Sequence, residues 1–131
     1  MDRAGVVMTE TEFISEWVGS PWVERGHTRQ GIDCWALVVR YYADVLGIHL
    51  RDDYAPDIAA GFIAEESKWL PCAPSSGVAF MCFDKAGEPR HVGIVVNGGS
   101  HILHARCPTV KCDRIELMRQ FSMKFYEYKG D

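Results

Sequence analysis

Cys34 follows Asp33 at the head of DCWALVVRYYADVLGI, a run with no glycine or proline between Cys34 and Leu46. Asp33 can accept from the free N–H groups of a helix start, and Gly47 supplies the stop, so the spacing predicts a helix whose first turn carries the thiol. There the unsatisfied N–H groups and the macrodipole, worth about half a positive charge, favour thiolate over thiol. A sulfur so placed is a nucleophile for a carbonyl carbon. The competing reading is a small buried hydrophobe, the common fate of a cysteine.

A thiol nucleophile needs a base, and three of the five histidines fall in HVGIVVNGGSHILHA, residues 91–105. Apolar runs on either side of NGG predict a β-hairpin, with a two-residue loop at Gly98 and Gly99 or a four-residue loop over 97–100. Both loops set one register, with His91 opposite Arg106 and His104 opposite Gly93. His91 and His104 then share a face as diagonal neighbours, and His101 points to the other side. An odd loop would bring His101 to the face of His91, but about 13 Å away along the strand. A base held by a second imidazole is an arrangement that activates a thiol. The competing reading is two half-exposed histidines on a sheet edge. His27, in a loop, and His49, just past a helix end, read as solvated or capping side chains.

The elements that must position these groups follow from pattern. TETEFISEWV (9–18) has threonine caps and Phe13, Ile14, Trp17 and Val18 at helical spacing, which predicts a short amphipathic helix ended by Gly19. Residues 19–32 form a loop around Trp22. The Cys34 helix, with little more than Arg40 and Asp44 charged, is the buried central one. After a turn-rich linker over 49–57, IAAGFIAEESKWL predicts a third, weaker helix interrupted by Gly61. Strands are expected at 78–83, 91–96, 101–105 and in SMKFYEY near the end. Helices first and strands afterwards, without βαβ alternation, make the class α+β with an antiparallel sheet.

The 131 residues, 47% hydrophobic and 24% charged, suit one globular domain spanning 1–131. The net charge of -4 and the lack of clustered Lys and Arg exclude nucleic acid as the main partner. No apolar run approaches the roughly 20 residues that cross a bilayer. The start MDRAGVVMTETEF has no basic region followed by an apolar stretch, so the expectation is a chain made in the cytoplasm without a signal peptide. Five cysteines, an odd number in irregular spacing, point to free thiols. With no CxxC and no HxxxH, no metal site and no cofactor is expected. Of the five thiols, Cys34 is expected to be the most readily alkylated, since it alone combines a helix start with a nearby base.

Three blocks together, Gly31-Ile32-Asp33-Cys34-Trp35-Ala36-Leu37-Val38, His91-Val92-Gly93-Ile94-Val95 and Ile102-Leu103-His104-Ala105, resemble the signatures of the NlpC/P60 cysteine peptidases. Tryptophan after the cysteine, where serine is more usual, resembles the phage tail branch of that family. The resemblance implies a papain-like fold in which the nucleophile helix packs on an antiparallel sheet bearing the base. It also implies cleavage of peptidoglycan stem peptides, commonly between γ-D-glutamate and a diamino acid. Carried over by residue, Cys34 is the nucleophile, His91 the base and His104 the residue orienting it. Trp22 stands where the family tends to place a tyrosine near the oxyanion, and it and Asp33 are assigned to the substrate and oxyanion side. Trp22 lacks a hydroxyl and has only its indole N–H to offer. Gly77-Val78, where many members have Gly-Asp, reads as a different turn. Phage tail proteins are implied as possible partners, and the cell wall as the place of action, reached as a virion or prophage component. Two other readings remain: a non-catalytic tail-assembly or wall-binding module, and an amidase or acyltransferase using the same triad.

Overall fold

The computed structural model describes residues 7–51, 58–118 and 122–130. Thr9 closes a capping box on α1 (Glu10–Trp17): its hydroxyl accepts from the Glu12 N–H, and the Glu12 carboxylate accepts from the Thr9 N–H. The loop that follows holds a two-rung hairpin, β1 (His27–Thr28) with β2 (Gly31–Ile32). Next comes α2 (Cys34–Tyr41), which runs on as a π-helical turn, Tyr42–Leu46, to a left-handed Gly47 with φ 71°. The stop is where glycine at that position put it, and the last five residues are wider than the α-helix expected. Tyr42, inside this turn, is buried and donates its hydroxyl to the Gly77 carbonyl. Gly77 itself has φ 90°. The third helix, α3 (Ile58–Glu65), passes into a 3-10 turn, Glu66–Lys68. Most of the expected linker, residues 52–57, and the first six residues lie outside the described residues.

The sheet contains β3 (Trp69–Pro71), β4 (Ala79–Phe83), β5 (Pro89–Val96), β6 (His101–Arg106), β7 (Thr109–Arg114) and β8 (Ser122–Tyr128). Its order is β3-β8-β4-β5-β6-β7, antiparallel throughout. The four expected strands are present, and β3, β7 and the small hairpin join them. Period-2 alternation splits the sheet into two faces. Met81, Val92, Ile94, Leu103, Ala105 and Val110 pack beneath the helices against Phe13, Trp17, Leu37, Val38 and Tyr41. The other face carries Val78, Phe80, Cys82, Val95 and Ile102, closed by Met118. Each fully buried side chain of this size contributes roughly 1.5–3 kcal/mol. This is the expected α+β architecture, with the N-terminal helices on a six-stranded antiparallel sheet.

The β5–β6 hairpin has the expected register. Ile94 faces Leu103, Val95 faces Ile102, and Val96 faces His101. The connection is the four-residue loop, with Asn97, Gly98 and Gly99 all at positive φ. Glu10 of α1 braces it, one carboxylate oxygen accepting from the Asn97 N–H at 3.0 Å and the other from the Tyr41 hydroxyl at 2.6 Å.

Candidate active site

The start of α2 is held from both sides by backbone. In the preceding loop, the Gly19 N–H donates to Val110 and the Trp22 N–H to Pro108, while Ser20 accepts from Val110. These bonds tie residues 19–22 to the head of β7. Ile32 then donates to Pro21, and Asp33 to Gly26. One Asp33 carboxylate oxygen accepts from the Ala36 N–H at 2.8 Å and the other from the Arg25 N–H at 3.1 Å. Asp33 is thus the N-cap, and it also clamps the loop in front of the helix. Both of its oxygens face backbone. The chain approaches closely at Gly26, where a Cβ would lie 2.4 Å from the Gly31 carbonyl oxygen. The Trp22 backbone bridges to Ile32, and its half-buried side chain packs against the main core.

Cys34, 7% exposed, belongs to the main core together with Ile32, Leu37 and Val92. The polar groups acting on its sulfur are the backbone N–H groups of Val92, Trp35 and Cys34 itself. The reach to Val92 follows from how β5 is paired. Val95 donates to Val78 and accepts from Gly77, so odd residues of β5 point their backbone groups at β4 and even ones at β6. The β5–β6 ladder stops at Ile94. The Val92 N–H therefore faces the β6 side beyond the last rung, where the sulfur meets it.

His91 and His104 lie at the same unzipped end of the hairpin. His91 pairs with Cys82 of β4, and His104 has the parity of Ile102, so both belong to the face of Phe80. The His91 Nε2 and His104 Nδ1 atoms are 2.8 Å apart. On its far side, His104 Nε2 lies 2.8 Å from an oxygen of Asp113. Phe80 presents its ring edge-on to both imidazoles, with centroids 5.8 Å from each. His101 faces elsewhere, its Nδ1 2.6 Å from the Ser100 hydroxyl. The sequence-based choice of His104 over His101 as the neighbour of His91 matches this geometry. Asp113 went unseen because β7 did, although Val110 and Cys112 alternating with Thr109, Lys111 and Asp113 was the available signal.

Gly93 has a steric reason to be glycine. A Cβ there would lie 2.3 Å from Phe80 Cε1, 2.8 Å from the Leu103 carbonyl oxygen and 2.9 Å from His104 Cβ. Two of these obstacles are backbone or close to it and cannot swing away. Gly93→Ala should therefore lower stability by about 1–3 kcal/mol, the usual cost of overpacking, and displace His104. Urea denaturation with a histidine NMR spectrum checks both.

Electrostatics corrects one expectation. The Cys34 thiol is pushed up to about 12, because burial of the sulfur outweighs the N–H groups that favour its anion, and the Asp33 charge adds to the rise. The helix start does not make a resting thiolate. His91 is pulled down to about 3, mainly by burial and further by His104 and the Arg106 charge. His104 is also lowered by burial, against the opposing hydrogen bond and charge of Asp113. At neutral pH the pair is a thiol and a neutral imidazole. The expected preference for alkylation at Cys34 reverses accordingly. Brief iodoacetamide treatment of the folded protein should label exposed Cys107 before buried Cys34, read by peptide mapping.

Comparison with known proteins follows the same lines. The NlpC/P60 family model matches residues 19–126. The NlpC/p60 domain of the peptidoglycan hydrolase SagA has a similar structure, with TM-score 0.59 and 19% identity over 87% of this chain and 92% of that one. A Staphylococcus aureus subsp. aureus Mu50 protein described as similar to lipoprotein, NLP/P60 family, gives TM-score 0.63 and 15% identity over 95% of this chain, which spans 44% of that one. No curated protein matches. With a helix-borne cysteine, a strand-borne histidine pair and a family match over most of its length, the chain belongs to the NlpC/P60 family.

Proposed function

We propose that this chain is a cysteine peptidase that hydrolyses peptidoglycan stem peptides at the amide between γ-D-glutamate and a diamino acid, with Cys34 as nucleophile, His91 as base and His104 orienting it. The observation carrying this reading is the 2.8 Å His91–His104 contact, formed by a histidine one residue along β5 from Val92, whose backbone N–H acts on the Cys34 sulfur. Family membership and the likeness to a domain of a peptidoglycan hydrolase support the substrate class. That likeness covers 92% of the SagA domain, which supports one catalytic domain over 1–131. Trp35 supports the phage tail branch, and with it action at the cell wall as a virion or prophage component.

In this mechanism His91 takes the thiol proton as sulfur attacks the amide carbonyl. The C–S bond forms while the S–H bond breaks, and the carbonyl oxygen becomes an oxyanion. The Cys34 N–H at the helix start stabilises it. The imidazolium returns its proton to the departing amine, the C–N bond breaks, and water then hydrolyses the thioester.

Because the resting pair is neutral, the proton moves during attack. Activity requires unprotonated His91, lost only as pH falls toward about 3, and a thiol that persists toward about 12. The rate should accordingly be flat from pH 5 to 9 apart from ionisation of the substrate. A bell with a limb between pH 6 and 7 would instead mark a preformed thiolate–imidazolium pair.

The proposal is tested with synthetic amides under reducing conditions. The γ-D-glutamyl-diamino acid amide should be cut and its α-linked isomer spared. If neither is cut between pH 5 and 9, the peptidase reading fails. The burial of Cys34 then favours the non-catalytic module.

A further inference from the structure

Beyond the three residues of the proposed triad, β7 contributes a fourth group to the same chain of contacts. Asp113 lies opposite Ile102 in the β6–β7 ladder, while His104 faces Lys111, so the carboxylate is a diagonal neighbour of His104 on one face. His104 is fully buried, and its two ring nitrogens are spent on His91 and Asp113, each at 2.8 Å.

We propose that Asp113 is a positioning residue that sets the tautomer of both histidines and so makes Nδ1 of His91 the atom that receives the thiol proton. A carboxylate only accepts, so His104 Nε2 must carry the hydrogen that meets it. A neutral imidazole holds one such hydrogen, which leaves His104 Nδ1 as an acceptor. His91 Nε2 must then be the donor across the 2.8 Å contact, and its own lone pair is left on Nδ1. When that atom takes the proton from sulfur, the imidazolium formed still donates from Nε2 along the same line, with Asp113 at the end holding the counter-charge. The groups facing His104 are His91 from β5, Phe80 from β4, Arg106 on its own strand, and Lys111 and Asp113 from β7. Among them, Asp113 is the one carboxylate.

This inference rests on the triad of the proposed function, and its test separates the two. Asparagine at position 113 keeps the shape but offers a donor as well as an acceptor, which unlocks the tautomers. In nitrogen-15 NMR of the wild type, both His91 and His104 should carry hydrogen on Nε2. In Asp113→Asn, Nδ1–H forms should become populated. Turnover should fall about 10- to 100-fold in kcat, the range for an outer orienting partner, with KM little changed. An Nδ1–H form of either histidine in the wild type overturns the proposal, as does an Asp113→Asn protein in which tautomers and kcat fail to change together. A wild type that cleaves nothing defeats the peptidase reading, and the NMR result then decides the role of Asp113 by itself.

Discussion

His91→Ala should lose about 1,000- to 10,000-fold in turnover while remaining folded. General base catalysis is ordinarily worth about 100- to 10,000-fold, and here the upper part of that range applies. A thiol pushed up to about 12 supplies almost no thiolate unaided at neutral pH, so nothing in the resting site replaces the lost base. His91 is half-buried in the first half of β5, and alanine there removes one edge contact with Phe80 while leaving the main core beneath the helices untouched. Its loss should even relieve acid sensitivity. A histidine lowered by burial contributes stability that is lost as pH falls below its unfolded value near 6.5, so the variant should melt less steeply with falling pH. Single-turnover kinetics and thermal melts from pH 5 to 7 read the two effects. Retained turnover with His91→Ala would remove it from the chemistry.

The second large effect concerns His104, which is buried and bonded on both sides. His104→Ala opens a cavity against Phe80 and leaves His91 Nε2 and Asp113 without their partner. Turnover should drop about 100-fold or more, and stability by about 2–4 kcal/mol, counting lost volume and a broken buried network. His104→Asn or His104→Gln offers an amide oxygen that can accept from His91 Nε2 and an amide N–H for Asp113, so either should recover part of the rate. His101→Ala should be close to silent, because its ring is bonded to Ser100 and faces away from this chain. If His101→Ala were the more damaging change, the assignment of the orienting residue would be wrong.

The ease with which different parts of this molecule could be read in its sequence has physical causes. The helix start at Cys34 was legible because a cap, an uninterrupted apolar run and a terminal glycine are local signals that agree with one another. The register of His91 and His104 was legible because side chains alternate strictly along strands and the NGG loop has even length. What stayed hidden depends on partners distant in the chain. β7 has charged residues and buries little beyond Val110, so its period-2 pattern is faint, and Asp113 is hidden with it. The protonation of Cys34 is hard to read from sequence because the helix dipole is local, whereas the burial that raises the thiol comes from core residues distant in the chain, Val92, Ile94 and Leu103 among them. Asp33 was legible as a cap. Its second oxygen, which accepts from Arg25, shows that its contacts are those of a residue that places the helix.

The most direct measurement of the central claim is mass spectrometry of purified muropeptides incubated with the wild type and with Cys34→Ala under reducing conditions. The account predicts stem peptides cleaved between γ-D-glutamate and the diamino acid by the wild type, and none cleaved by a folded Cys34→Ala. Muropeptides left intact by the wild type, or cut equally by both proteins, would contradict it.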